Sequence, residues 1–167
     1  MTLWTKKDRE DFIQGALQNF RWVPCAFVML IVEETGACPY KISRLGFSHF
    51  DLEVGKVRVG KHTYQLSHKL TLLLREQKER LSFQAKAFPV FNQSRLKWYA
   101  LSPAQLEREF SHVKRTLSLP LGLGVSTLRL SVFRDRINEG QLPTQVAKDM
   151  HLSVEEFERF WRLAKNV

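Results

Sequence analysis

Apolar residues recur every three or four positions along most of this chain, which is the spacing of helices that bury one face. The first stripe follows Thr5, a residue type that caps helices. Its members are Phe12, Ile13, Ala16, Leu17 and Phe20. The next run, Trp22–Val32, is apolar throughout, and Pro24 and Gly36 suit the start and the end of a helix. We expect this second helix to be buried on every side.

Between residues 56 and 67 polar and apolar side chains alternate instead, which predicts strands. The segments KVRVG and TYQLS flank a tight turn at Gly60–His62, so we expect a β-hairpin. Helical spacing returns over Leu70–Leu81, and residues 86–99 are predicted to form a loop or a short strand. A short apolar turn or helix comes before the hairpin and contains Ile42, Leu45 and Phe47.

Capping signals place further helices in the second half of the chain. Ser102, Pro103 and Gln105 form one start signal, and the capping box of Ser153 and Glu156 opens the last helix. Between them, residues 127–138 predict a helix and residues 142–153 a shorter helix with a turn. The expected fold is mostly α with a small β-hairpin or sheet, in a single domain over residues 1–167. The last helix should bury Phe157, Phe160, Trp161 and Ala164.

Positive charge is concentrated in the middle of the chain. The formal net charge is +9, from 26 Lys and Arg against 17 Asp and Glu. Residues 56–115 hold 13 of the basic residues and only 4 of the acidic ones, so this segment accounts for the whole excess. Because apolar and aromatic residues are interleaved with it, we expect a folded basic face, which favours a nucleic-acid partner over a merely solvated surface.

The sequence contains no pattern that predicts a cofactor, a metal site or a membrane segment. Its two cysteines, Cys25 and Cys38, are too few for a disulfide framework, and no spacing of His and Cys suits zinc. The apolar run Trp22–Val32 is too short to cross a bilayer. We therefore expect a cytoplasmic protein with free thiols, no cofactor and no metal.

The stretch ETGACPYKISRLGFSHFDLEVGKVRV, residues 34–59, begins a longer order of motifs. Thr35-Gly36 is followed by a short apolar segment and by the hairpin. Farther on, STLRLSVFRDRINEG places Arg129 near the start of a helix, and KDMHLSVEEFERFW places His151 before the last helix. This order resembles the catalytic domain of the tyrosine recombinases, the phage-integrase family, and it implies that family's fold.

The resemblance relates particular positions to the family's chemistry. Cys38 stands where the family has its first catalytic arginine, and Lys41 stands where it has a glutamate. Lys61 falls in the hairpin turn, which in the family carries a catalytic lysine. Arg129 matches the second arginine, and Ser126 replaces the histidine that precedes it in the family.

The last helix departs from the family at the position that matters most for chemistry. His151 matches the family's late histidine, but Phe160 stands where the family has its nucleophilic tyrosine. The family reaction needs a hydroxyl that attacks phosphorus and two arginines that stabilise the developing charge. We therefore expect no catalytic residues and no enzyme activity. The resemblance starts at the first helix of the catalytic domain, which implies that the family's separate N-terminal DNA-binding domain is missing.

Binding to double-stranded DNA does not need this chemistry, because phosphate contacts require only charge and hydrogen-bond donors. The alternative to phosphate binding for Lys61 is the role of a solvated turn lysine. The alternative for His151 is the role of a capping or packing residue. Arg129 has an alternative as an ion pair with a carboxylate such as Asp135 or Glu139, but we expect it to act in binding, with no buried partner of its own. The residues predicted to bind DNA are Lys56, Arg58, Lys61, Lys97, Arg129 and His151.

The expected function is that of a catalytically inactive, DNA-binding relative of the recombinases on a bacterial mobile element such as a plasmid. It would serve as an accessory factor in DNA processing or conjugative transfer, or as a transcription regulator, alone or with other proteins. One alternative is a divergent strand transferase or relaxase that uses another nucleophile; Tyr40, Tyr64 and Tyr99 remain, but none of them lies on the last helix. Others are a protein-interaction module and a helix-turn-helix whose turn lies at His151-Leu152, where the usual glycine is missing.

Overall fold

The computed structural model describes residues 1–19, 21–87 and 101–165, and this part of the chain is mostly helical. Along the chain, the three strands of an antiparallel sheet come between the third and fourth α-helices. The expected class, mostly α with a small sheet, is confirmed. The helices are α1 (Lys6–Leu17), α2 (Val23–Thr35), α3 (Pro39–Ile42), α4 (His68–Ala87), α5 (Pro103–Thr116), α6 (Leu128–Asn138), α7 (Pro143–Asp149) and α8 (Val154–Lys165).

The predicted hairpin is the larger part of the sheet. Strand β2 (Lys56–Val59) pairs with β3 (His62–Gln65), and Val57 lies opposite Tyr64. A short strand, β1 (Phe50–Asp51), pairs with the other edge of β2. Alternation along β2 buries Val57 and Val59 and exposes Lys56 and Arg58, so the strand presents one cationic face to solvent.

The predicted capping signals mark the helix starts. The Thr5 hydroxyl accepts from the backbone N–H of Asp8, and Ser102 does the same for Gln105. Ser153 accepts from the backbone N–H of Glu156, whose carboxylate accepts in return from the Ser153 N–H. At the other end of α2, Gly36 adopts φ 66°, a left-handed conformation that lets the chain turn sharply out of the helix.

Helix α2 is the centre of the larger of two apolar cores. It is buried on nearly every side, as its unbroken apolar run predicts, and α1, α5 and α6 pack around it. The fully buried Trp4 ring meets Phe12 and Phe110 edge to face in this core. The smaller core lies under α8, and its members are Leu3, Leu130, Phe133, Val146, Ala147, Met150 and Phe160.

A buried arginine joins the first helix to the rest of the molecule. The Arg9 side chain is 5% exposed, and its Nε donates to Glu33 of α2 at 2.7 Å while Nη2 donates to Asp135 of α6 at 2.8 Å. Its Nη1 donates to the backbone oxygen of Trp4. Asp135 therefore has a structural partner of its own and lies outside the site described below.

Helix α4 is longer than predicted, and some of the predictions concern residues outside the described part of the chain. Helix α4 starts at His68, where the Ser67 hydroxyl caps it by accepting from the Leu70 N–H, and it runs to Ala87, so it is longer than the predicted Leu70–Leu81 at both ends. The predicted loop over residues 86–99 therefore begins inside a helix. From residue 88 onward it lies outside the described residues, as does Lys97.

Candidate nucleic-acid interface

A cleft of about 610 Å³ opens between the hairpin turn, α3 and the turn that joins α7 to α8. The positions that the sequence singled out converge on it, although they are far apart in the chain: Cys38, Lys41, Lys61, Arg129 and His151 all line it. A second cavity of about 380 Å³ adjoins it and is lined by Phe160. Cys38, Arg129 and Glu156 line both cavities and so lie between them.

Arg129, in the first turn of α6, is bound from three directions. Its Nε donates to the Gly36 backbone oxygen at 2.7 Å, its Nη1 to Glu156 Oε1 at 2.8 Å, and its Nη2 to the Met150 backbone oxygen at 3.3 Å. The side chain is 14% exposed. The expectation that Arg129 has no buried partner is therefore wrong, and the carboxylate that it pairs with is Glu156 rather than Asp135 or Glu139.

Glu156 has both carboxylate oxygens occupied. Oε1 accepts from Arg129, and Oε2 accepts from the Ser153 backbone N–H at the start of α8. Burial acts to raise the pKa of Glu156, but the Ser153 hydrogen bond and the Arg129 charge outweigh it and hold this pKa below its usual value. Among the described residues that line the cleft, Glu156 is the one carboxylate, and its charge is already neutralised.

Two histidines stack across the cleft, one from the hairpin and one from the α7–α8 turn. The ring centroids of His62 and His151 lie 4.2 Å apart with planes 16° from parallel, and Tyr64 meets His151 edge to face. His151 has φ 50°, so a histidine fills the left-handed turn position where glycine is usual. Partial burial, then the neighbouring His151, Lys61 and Lys41, lower the pKa of His62.

The predicted cationic residues of the hairpin divide into two groups. Lys61 lies in the turn, is exposed and lines the cleft. Lys56 and Arg58 lie on the exposed face of β2 and do not line it. The structure thus brings Lys61, Arg129 and His151 together and leaves Lys56 and Arg58 on the opposite face of β2 from Val59, which lines the cleft.

Phe160 is a packing residue in this structure. Its ring is 5% exposed and lies edge to face against Phe133 of α6. The guanidinium carbons of Arg129 and Arg159 lie 5.8 Å and 5.4 Å from its centroid, which is cation–π distance. A phenyl ring in this place has no hydroxyl to offer, and Cys38 nearby brings no fixed positive charge.

The tyrosines considered as substitute nucleophiles lie in different places. Tyr40 donates its hydroxyl hydrogen bond to Glu107, and burial together with this carboxylate raises the pKa of the phenol strongly. Tyr64 lines the cleft but is 8% exposed, and burial raises its pKa as well. Tyr99 lies outside the described residues. A tyrosine with a raised pKa gives up its proton less readily, which disfavours nucleophilic attack.

Sequence reasoning missed four residues that line the cleft: Lys41 as a cation, His62, Lys148 and Glu156. Two of them had a signal in the sequence. His62 directly follows Lys61 in the predicted turn, and Lys148 lies one helical turn before His151. Glu156 was interpreted as a capping residue alone, and nothing in the local pattern indicates that it also reaches Arg129.

The fold of the described residues is similar to that of several solved recombinases. The XerA recombinase matches with a TM-score of 0.75 and 12% identity, over 96% of this chain and 58% of that one. The XerH site-specific recombinase, bound to its difH substrate before cleavage, matches at 0.69 with 16% identity over 97% and 50%. The Tn1549 transposon integrase in complex with transposon right-end DNA matches at 0.67 with 14% identity over 96% and 61%.

The chain has the fold of the tyrosine-recombinase catalytic domain. This confirms the resemblance that the motif order indicates, at a sequence identity low enough that the likeness concerns the fold alone. The chain spans about half to three fifths of the length of these three structures. No family model matches the sequence, and no curated protein does.

A substitution tests whether Arg129 holds the cleft together. We expect Arg129→Ala to lower the free energy of unfolding by about 2–3 kcal/mol, because it leaves Glu156 and two backbone oxygens without their donor. Arg159→Ala is the matched control, since Arg159 faces the same Phe160 ring but is exposed, and its loss should stay within about 1 kcal/mol. Urea unfolding of both variants measures the difference. Equal small losses would contradict a structural role for Arg129.

Proposed function

We propose that this chain binds double-stranded DNA through the cleft and the solvent-exposed face of β2, and that it does not cut the DNA. One observation carries the proposal: Lys61, Arg129 and His151 converge in a cleft that Lys41 and Lys148 also line, and Glu156, its one described carboxylate, is paired with Arg129. A concave surface with an excess of positive charge attracts the phosphate backbone. Two of the solved structures with this fold are named as complexes with DNA.

Each predicted residue has a place in this proposal. Lys61 at the hairpin turn would contact a phosphate inside the cleft, and Lys56 and Arg58 would contact the backbone on the strand beside it. Arg129 uses three of its N–H groups within the protein, so it would contribute its charge and its remaining donors. His151 would present its ring edge next to His62. Lys97 stays a sequence prediction.

Loss of the covalent chemistry is the second half of the proposal. Phe160 is buried by packing against Phe133 and two arginines, and Cys38 supplies no charge to a phosphate. Without a nucleophile the covalent route of the fold's enzymes is closed. Tyr64 is the alternative that the structure favours most, because it is the described tyrosine that lines the cation-bearing cleft.

The biological role we propose is that of an accessory factor in DNA processing or conjugative transfer, or of a transcription regulator, on a bacterial mobile element. It would act in the cytoplasm, alone or with other proteins of a nucleoprotein complex. The fold is shared with a transposon integrase and with site-specific recombinases, which supports a DNA-directed role. No helix among the described residues is long and apolar enough to cross a membrane.

Charge reversal locates the interface. We expect Lys56→Glu, Arg58→Glu and Lys61→Glu combined to weaken duplex binding by at least about 100-fold, since each removes a charged contact. The control reverses Arg159, Arg162 and Lys165, three exposed cations of α8, and should have a much smaller effect. Binding isotherms at several salt concentrations give both values, with a log–log slope of about −0.9 for each phosphate neutralised. A larger loss from the α8 set would favour the helix-turn-helix alternative.

Covalent trapping tests the absence of catalysis. Incubation with a nicked duplex should leave no protein–DNA adduct on a denaturing gel, because Phe160 has no hydroxyl. Phe160→Tyr is informative as a companion, since Cys38 would still deprive the transition state of one arginine, and adduct yield should stay low. An adduct with the unaltered protein that disappears in Tyr64→Phe would establish the strand-transferase alternative.

His62 gives binding a pH dependence. Partial burial, and then the neighbouring His151, Lys61 and Lys41, hold the pKa of His62 below its ordinary value. A bound phosphate would counter this repulsion and raise that pKa, so binding takes up a proton, and affinity increases as pH falls from above the pKa of His62 in the complex towards its lower pKa in the free protein. Isotherms at constant salt measure this. His62→Gln should flatten the profile and the control His68→Gln should not; an unchanged profile in His62→Gln would contradict this role.

A further inference from the structure

Three lysines of the cleft have no counter-charge among the described residues. Lys41, Lys61 and Lys148 come from α3, the hairpin turn and α7, all are exposed, and all line the same cavity. Glu156, the described carboxylate of the cavity, is already bonded to Arg129 and to the Ser153 backbone. Like charges gathered without a partner repel one another, and an anion from outside the protein would relieve that repulsion.

Lys41 reaches from α3 to the hairpin turn. Lys41 lies on α3, but its Nζ is 3.9 Å from the place that a Cβ on Gly60 would occupy. The ammonium group of Lys41 therefore lies beside the hairpin turn. Its charge also helps to lower the pKa of His62 on the far side of that turn. Gly60 has φ 63° and no side chain, which leaves the space beside the turn open to Lys41.

We propose that Lys41 is a phosphate-binding residue, and that with Lys61 and Lys148 it forms the principal anion subsite of the cleft. This rests on the DNA binding proposed above and names the cations that make the contact. Arg129 is committed to three internal partners, whereas the three lysines make no ion pair among the described residues and are available to phosphate oxygens.

The ligand we assign is a phosphate of the DNA backbone rather than free phosphate. A cleft of about 610 Å³ is far larger than one phosphate group, and it is open to solvent. Lys56 and Arg58 lie on the face of β2 that is turned away from the cleft, and Lys61 lies in the turn at the end of that strand. A polymer of phosphates that crosses the turn would meet both surfaces at once, and a single small anion would not.

A positive charge introduced at position 38 tests whether charge in the cleft, rather than Lys41 itself, is what binds the phosphate. Cys38 precedes α3, lines the same cleft and lies three residues before Lys41. A cation at position 38 would therefore project into the cavity that Lys41 serves, about one helical turn away. If charge in this cavity is what matters, Cys38→Arg should compensate for the loss of Lys41.

The experiment compares Lys41→Ala with Lys69→Ala, which removes an exposed lysine of α4 outside the cleft. We expect Lys41→Ala to weaken duplex binding about 10-fold and to reduce the magnitude of the log–log salt slope by about 0.9, the value for one lost phosphate contact. Lys69→Ala should change neither. Equal behaviour of the two folded variants would overturn the subsite and leave DNA binding standing, whereas no salt-dependent binding by the unaltered protein would overturn the proposed function itself.

Two further experiments distinguish a phosphate of DNA from free phosphate as the ligand of Lys41. The double variant Cys38→Arg, Lys41→Ala should recover most of the lost affinity and slope; a folded double variant with no recovery would contradict a shared anion subsite. Calorimetric titration with inorganic phosphate should give weak binding at most. Tight binding that Lys41→Ala abolishes would identify a site for free phosphate and overturn the assignment to DNA.

Discussion

The three-way attachment of the Arg129 guanidinium is the interaction on which the cleft depends. One end of α2, the end of α7 and the first turn of α8 meet at this group, through Gly36, Met150 and Glu156. Cys38 and Lys41 follow closely after Gly36 in the chain and line one wall of the cleft, and His151 follows directly after Met150 and lines the other. A planar, permanently charged group suits this task, because its rigid fork donates to the three partners from three separate nitrogens, whereas a lysine would have to reach all of them from one nitrogen.

The hydrogen bonds of Arg129 also explain which cations of the cleft are available to an anion and which are not. Because Arg129 and Glu156 are paired with each other, the positive charge of the cleft comes from Lys41, Lys61 and Lys148. Two of the solved structures with this fold, those of the Tn1549 integrase and of XerH, are complexes with DNA. In this chain Phe160 packs against Phe133 and Cys38 lines the cleft, and the function proposed above is DNA binding without cleavage.

The sequence predicts the elements well because their signals are local. The capping boxes at Thr5, Ser102 and Ser153 and the alternation in β2 depend on neighbours a few residues away. The order of motifs was also enough to identify the fold. The partners of Arg129 were not predictable in this way, since Gly36 is 93 residues distant and Glu156 is 27. The stacking of His62 on His151 likewise arises only when the hairpin meets the α7–α8 turn.

Amide hydrogen exchange with and without duplex DNA tests the central claim most directly, because it locates the interface residue by residue in the unaltered protein. The account predicts slower exchange on DNA binding in the hairpin turn, residues 59–62, and in the α7–α8 turn, residues 150–153, which face each other across the cleft. Exchange in α5, residues 103–116, should not change. Protection confined to the outer face of α8, or no protection at either turn while DNA is bound, would contradict it.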